Sequence, residues 1–293
     1  MSSDARLYLV LGGSGMLGRA WLRLLERNAP ELYLAPSEEQ CDLTDRRSIR
    51  NLVTENVHTV INCAAFTDVD GAETREDDAM RINGEAVGDL ASRCREVGAT
   101  LVHYSTDYVF NGCATLPYRT DHPRDPVNAY GRSKARGEEL LESSGCEHLL
   151  IRTSWLYAAW GNNFVRTMAR LTAEKPGLRV VHDQRGRPTS AEHLASASLE
   201  LLRKDLRGTY HVADAGQCTW YEFAEHINSE LGHGCDIQPC NTHQFPRPAA
   251  RPAYSVLDLS AIETHIGPIG TWQQNLAQVL PHLARETAQE IQP

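Results

Sequence analysis

The sequence predicts an α/β fold: a doubly wound parallel sheet followed by a smaller, less regular C-terminal lobe. Short apolar runs alternate with helical patterns through the first half of the chain. That rhythm belongs to strand–helix–strand units, whose crossovers impose parallel pairing. The first run breaks at Gly12-Gly13-Ser14-Gly15-Met16-Leu17-Gly18, and helical spacing begins there. Beyond Trp155 the alternation loosens and prolines gather late, which marks off the second lobe.

Residues 7–11 are short and apolar and read as a buried strand. Leu17, Trp21, Leu22, Leu24 and Leu25 then recur with helical spacing. Residues 32–34 form a second strand candidate, and Asp45 can cap a helix carrying Ile49, Leu52 and Val53. Residues 59–65 are a third strand, 76–97 a long helix, 100–105 a fourth strand, 129–141 a helix and 148–153 a fifth strand. After that, 163–172 and 191–202 look helical, 179–182 extended, 208–213 a strand and 220–231 an amphipathic helix. Pro246, Pro248 and Pro252 make 241–254 a loop. The expected division is 1–154 for a dinucleotide-binding domain and 155–293 for a substrate-binding lobe, with elements near 190–214 returning to the first.

The 293 residues are 41% hydrophobic and 23% charged, an ordinary globular composition with ample length for a large core. The formal net charge is -9 and no basic tract occurs, which argues against nucleic acid as a partner. An anionic small molecule would need local donors. The eight cysteines are scattered, with no C-x-x-C pair, and read as reduced thiols of a cytoplasmic protein. No apolar run approaches the roughly 18 residues of a membrane span, and the polar start is unlike a signal peptide.

Two motifs carry chemistry. Gly12, Gly15 and Gly18 give G-x-x-G-x-x-G between first strand and first helix, a turn that lets backbone approach a pyrophosphate at a helix N-terminus. Farther on, Tyr130 and Lys134 stand four apart in Tyr130-Gly131-Arg132-Ser133-Lys134, so they share a helix face. An ammonium near a phenol is expected to lower its pKa from about 10 and make Tyr130 a proton donor or acceptor. The Thr106 hydroxyl, in Ser105-Thr106-Asp107, can hold a reacting oxygen beside it. Asn62-Cys63-Ala64-Ala65 offers small side chains on which a ribose can lie. Asp42, before Leu43, suits either an adenine contact or a turn. Asn83, inside a helix, is assigned a structural role. After the second strand comes Ala35-Pro36-Ser37-Glu38-Glu39, with no arginine and late acids, so NADPH and NADH both stay open.

With these residues the chain resembles the extended short-chain dehydrogenase/reductase superfamily, which is Rossmann-like, and within it the dTDP-4-dehydrorhamnose reductase family. Ala65-Phe66-Thr67-Asp68-Val69-Asp70-Gly71-Ala72-Glu73 is similar to the A-x-T-x-V-D-x-A-E segment of that family, and Tyr104-Ser105-Thr106-Asp107-Tyr108-Val109-Phe110 to its Y-S-T-D-Y-V-F strand end. Arg152-Thr153-Ser154-Trp155-Leu156-Tyr157, Gly161-Asn162-Asn163-Phe164 and Arg251-Pro252-x-x-Ser255-x-Leu257-Asp258 match later segments in order.

The resemblance implies reduction of a dTDP-linked 4-keto-6-deoxy sugar to dTDP-L-rhamnose with NADPH or NADH. Tyr130 would protonate the C4 oxygen, Lys134 would bond the nicotinamide ribose, and Thr106 would bond the keto oxygen. Gly12, Gly15, Met16 and Leu17 are placed at the pyrophosphate, Asp42 and Leu43 at adenine, and Ala64, Ala65, Phe66, Thr67 and Tyr104 along the cofactor. Asp107, Trp155, Asn163 and Arg251 are placed at the substrate, with Trp155 packing flat on the sugar. Asp68, Gly71 and Phe66 depart from the family pattern in the sugar-facing loop. Some relatives dimerise through Mg2+, with a glutamate matching Glu192 and a C-terminal acid. Glu192 is present but the tail 285–290 does not align, so no metal ligand is assigned and a homodimer stays open. Two other readings remain: a non-catalytic subunit like the regulatory partner of methionine adenosyltransferase, and a reductase of another dTDP-4-keto-6-deoxyhexose.

Overall fold

The computed structural model describes residues 7–28 and 32–283. The first half runs β1 (Leu7–Leu11), α1 (Met16–Asn28), β2 (Tyr33–Leu34), α2 (Arg46–Leu52), β3 (Val57–Asn62), α3 (Glu76–Met80), α4 (Ala86–Val97), β4 (Thr100–Thr106), α5 (Ala129–Ser143) and β5 (His148–Thr153). The second half holds β6 (Leu156–Tyr157), α6 (Phe164–Glu174), β7 (Gly177–Val181), β8 (Arg185–Gly186), β9 (Thr189–Ser190), α7 (Ala191–Arg203) and β10 (Gly208–His211). It closes with β11 (Cys218–Thr219), α8 (Trp220–Leu231), β12 (Asp236–Cys240), α9 (Ser260–Ile266) and α10 (Trp272–Val279).

Six strands form one parallel sheet in the order β10-β5-β4-β3-β1-β2. Alternate residues leave it on opposite faces, as a strand requires. Val10, Ile61, Val102 and Ile151 join one buried cluster with Leu17 and Trp21 of α1 and Leu194 of α7. Leu9, Leu11, Val60, Leu101 and Leu150 join another with Ile49 of α2, Leu90 of α4 and Leu141 of α5. Helices therefore cover both faces, the doubly wound α/β arrangement. Strand order reverses at β1, with β2 on one side and β3 on the other, and the crevice beyond the C-terminal ends of β1 and β3 is where open α/β sheets take ligands.

The predicted 76–97 helix is interrupted. Arg81–Glu85 forms a π-turn between α3 and α4, the kind of single-turn bulge that redirects side chains. It turns Asn83 inward against α5. Gly137 permits that approach, since a Cβ there would strike the Asn83 carbonyl. The third strand ends at Asn62 rather than at 65, because Asn62 Oδ1 accepts the Ala64 N–H at 3.2 Å and bends the chain out of the sheet.

Helix α5 is anchored from below by ion pairs. Fully buried Glu138 accepts from Arg152 Nη2 at 2.7 Å and from Arg124 Nη1 at 3.0 Å. Burial opposes the carboxylate charge, but the two guanidiniums outweigh it and hold Glu138 below the usual carboxylate range. The strands β6, β8, β9, β11 and β12 and the helices α9 and α10 went unpredicted. Most of these strands have two residues, too few to show a period.

Candidate active site

The glycine loop lies at the sheet's switch point. Gly12 has φ +75°, and a Cβ there would come within 2.6 Å of Ala64 N, so only glycine lets the loop lie against the end of β3. A Cβ on Gly18 would strike the Gly12 carbonyl. Gly15 N–H closes the turn on Gly12 O at 3.1 Å. The first turn of α1 carries no acid, so its N-terminal dipole is uncancelled. This close-packed, anion-tolerant cradle fits a dinucleotide pyrophosphate. Met16 borders it, while the Leu17 side chain is buried in the core, leaving only its main chain to the cradle.

Across the crevice, the end of β4 and the start of α5 bring the predicted triad together. Asn128 caps α5 by accepting the Gly131 N–H at 2.7 Å. Gly131 itself sits against the Tyr108 carbonyl with no room for a Cβ. Lys134 is buried and donates to the Tyr104 carbonyl at 2.6 Å. Burial lowers the Lys134 ammonium to about 8, with the Glu138 charge one turn away opposing that shift. Tyr130 packs edge-on to Tyr108 at a 6.0 Å centroid distance and has Thr106 as a hydrogen-bonding neighbour.

One sequence expectation is overturned here. The Tyr130 phenol is raised, not lowered: burial is the main cause, the Asp107 carboxyl adds to it, and Thr106 only partly offsets them. The Lys134 ammonium donates to Tyr104 O at 2.6 Å and is not among the causes that set the phenol. Tyr130 is thus a neutral phenol at physiological pH, suited to donating a proton rather than to taking one.

Other predicted residues divide by what their side chains touch. Asn83 spans Phe66 and α5: its Oδ1 accepts Phe66 N–H at 2.8 Å, and its Nδ2 donates to Phe66 O at 2.9 Å and Ser133 Oγ at 3.0 Å. Asn83→Ala is expected to lower unfolding free energy by about 1–3 kcal/mol, because buried Phe66 groups lose their partners. Urea denaturation measures this. Ala64, Ala65, Phe66 and exposed Thr67 follow β3 along the crevice. The Tyr104 ring instead lies in the core, accepting from Trp21 Nε1 at 2.8 Å and donating to Ser198 at 2.9 Å, so only its main chain reaches the site. Asp42 forms a turn, accepting from Thr44 N and Oγ1 at 2.8 and 2.7 Å, and those bonds hold it below the usual carboxylate range. Leu43 beside it is half-buried.

Asn163 departs from its predicted place at the substrate. It caps α6, and its Nδ2 donates to the Ala158, Trp160 and Gly161 carbonyls at 2.9, 3.1 and 3.2 Å. The expected face-on packing of Trp155 is also altered. Trp220 already stacks on it at a 3.5 Å centroid distance, and Gly186 presses on its Cε2 with no room for a Cβ. Trp155 holds φ 46°, a strained value for a bulky residue. Nothing in the sequence near Trp220, just after the Thr219 capping box, signals this pairing. Arg251 and Arg247 both bond Asp70, at 2.8 Å for Arg251 Nη1 and for Arg247 Nε. Although burial opposes it, these two arginines lower Asp70 to about 2.

The family departures Asp68 and Gly71 prove to be one feature. Asp68 Oδ1 accepts the Gly71 N–H at 2.9 Å, and a Cβ on residue 71 would strike that carboxylate. Phe66 carries Arg75 over its ring at 4.8 Å. Among the described residues no group of three His, Cys, Asp or Glu is placed to hold a metal, and none of the helices is long and apolar enough to cross a membrane. Glu192 is exposed in the first turn of α7, and 285–290 lie outside the described residues.

The family model described as RmlD substrate binding domain matches residues 6–285. The chain belongs to that family. A spore coat polysaccharide biosynthesis protein, SpsK, of Bacillus subtilis is 43% identical over 87% of this chain and 90% of its own. A dTDP-4-dehydrorhamnose reductase of Streptomyces griseus is 39% identical over 97% of this chain and 96% of its own. The crystal structure of a dTDP-4-dehydrorhamnose reductase from Bacillus anthracis, in complex with NADP, superposes with a TM-score of 0.89 at 35% identity, covering 94% of this chain and 99% of that one. The family segments quoted from the sequence all lie inside the matched span.

Proposed function

We propose that this protein reduces dTDP-4-dehydro-6-deoxy-L-mannose (dTDP-4-dehydrorhamnose) to dTDP-L-rhamnose, with NADPH as reductant and Tyr130 as proton donor. The observation that carries the reading is the cluster of buried Thr106 and Lys134 with part-buried Tyr130, facing a glycine cradle at the switch point. Relatives at 39% and 35% identity over most of the chain are named as dTDP-4-dehydrorhamnose reductases, one of them in complex with NADP. Residues 1–154 hold the cofactor and 155–293 complete the substrate side. NADPH and a nucleotide sugar as reactants support a cytoplasmic location.

NADPH, when bound, supplies a hydride for the keto carbon. Gly12, Gly15, Met16 and the Leu17 main chain take its pyrophosphate, and Ala64 to Thr67 line its path towards Tyr130. Lys134, fixed on Tyr104 O, keeps a positive charge beside the nicotinamide ribose. Thr106 bonds the C4 carbonyl oxygen and polarises it. The Tyr130 phenol, neutral because it is buried beside Asp107, gives its proton to that oxygen as negative charge builds there. Arg251, held at the site's edge by Asp70, offers spare guanidinium donors to the diphosphate.

The test is a spectrophotometric assay of purified protein with NADPH and dTDP-4-dehydrorhamnose formed in situ. Substrate-dependent loss of NADPH absorbance supports the reading. Oxidation no faster than in a Tyr130→Phe control would sink it.

A further inference from the structure

We propose that Asp107 is a positioning residue: by accepting or donating, it decides whether the Thr106 hydroxyl proton points away from the substrate carbonyl or towards it. The inference rests on the ketoreductase reading above and deepens it. A threonine hydroxyl has one proton and two lone pairs. Here the Thr106 proton goes to Asp107 Oδ1 at 3.0 Å, and one lone pair takes the Tyr108 N–H at 3.2 Å. The Tyr130 phenol is the third neighbour of this hydroxyl. In this arrangement Thr106 has no proton left for a keto oxygen.

An ionised carboxylate only accepts, so it keeps the Thr106 proton turned away. A neutral carboxyl has an O–H of its own. Donated to Thr106 Oγ1, it takes the remaining lone pair and frees the Thr106 proton for the keto oxygen. Asp107 ends each turnover as it began, so it orients a donor and supplies no net proton.

The surroundings suit such a two-state group. Asp107 is 2% exposed, and its Oδ2 lacks a well-formed hydrogen bond. The groups around it are Thr106 at the end of β4, Tyr108 on its own turn, Tyr130 on α5 and Ser255 on the C-terminal segment. Arg251 and Asp70, in the loops alongside, act on Tyr108. No Lys or Arg pairs with Asp107 among the described ion pairs, whereas Asp70 nearby has two. Burial raises the Asp107 carboxyl to about 7, with the Ser255 and Thr106 hydroxyls pulling the other way.

The competent state is the protonated one, so activity is present below about 7 and falls as pH rises through it. The test is kcat/KM against pH for wild type, Asp107→Asn and Ser255→Ala, with NADPH and dTDP-4-dehydrorhamnose. Wild type is expected to lose about tenfold per pH unit above that point. The amide in Asp107→Asn does not titrate, so that variant's decline is expected to begin only near 8, where Lys134 loses its proton. Removing the Ser255 hydroxyl takes away a bond that favours the charged carboxylate, so that limb moves to higher pH. An active wild type whose limb stays in place in both variants overturns this inference alone. A wild type inactive at every pH overturns the ketoreductase reading and this inference with it.

Discussion

Tyr130→Phe is expected to lower kcat by about 10²–10⁴ while leaving KM for both reactants within a few-fold, since general acid catalysis by a placed side chain contributes on that order. The substitution removes one oxygen and keeps the ring. The edge-on contact with Tyr108 therefore persists, and α5 keeps its Asn128 cap and its Glu138–Arg152 anchor. What disappears is the phenol proton beside Thr106. Steady-state kinetics beside thermal denaturation separates the cases. A large kcat loss without a fall in Tm is the signature of a chemical role, whereas parallel losses of Tm and activity would point to packing.

Lys134→Ala carries the second large effect, on the order of 10² in kcat/KM, together with a change in the pH profile. The sign follows from the lowered pKa. Burial brings the ammonium to about 8, so its charge is present below that value and is lost as pH rises through it. Wild-type activity that depends on the charge falls on the same limb. Removing the side chain removes that limb, and the Asp107 limb near 7 remains. This differs from the simpler expectation of an upward-shifted optimum through phenol activation, because Lys134 bonds Tyr104 O rather than Tyr130. A profile in Lys134→Ala that still bends near 8 would contradict the assignment.

The sheet was legible because its strands bury both faces and its helices carry apolar stripes. Leu7–Leu11, His148–Thr153 and Trp220–Leu231 stand where the residue pattern puts them. The meeting of Thr106, Tyr130 and Lys134 was legible because spacing four on a helix and a strand-end hydroxyl survive any detail of packing. What the sequence hid depends on three-dimensional neighbours. The π-turn at Arg81–Glu85 has no periodic mark of its own and is explained by Asn83 meeting Gly137. The raised Tyr130 phenol follows from burial, with Asp107, 23 residues earlier in the chain, adding to it. Trp155 reads as a free aromatic platform until Trp220, from a different helix, stacks on it. Asn163 reads as a polar ligand until its amide meets three carbonyls of its own loop.

The most direct measurement of the central claim is isotopic. NADPH deuterated at the transferable C4 position is incubated with the protein and dTDP-4-dehydrorhamnose, and the sugar product is read by NMR. The account predicts dTDP-L-rhamnose carrying one deuterium at C4 of the sugar, with Tyr130→Phe forming it at least about a hundredfold more slowly. Unlabelled product, label at any other carbon, or equal rates for the two proteins would contradict it.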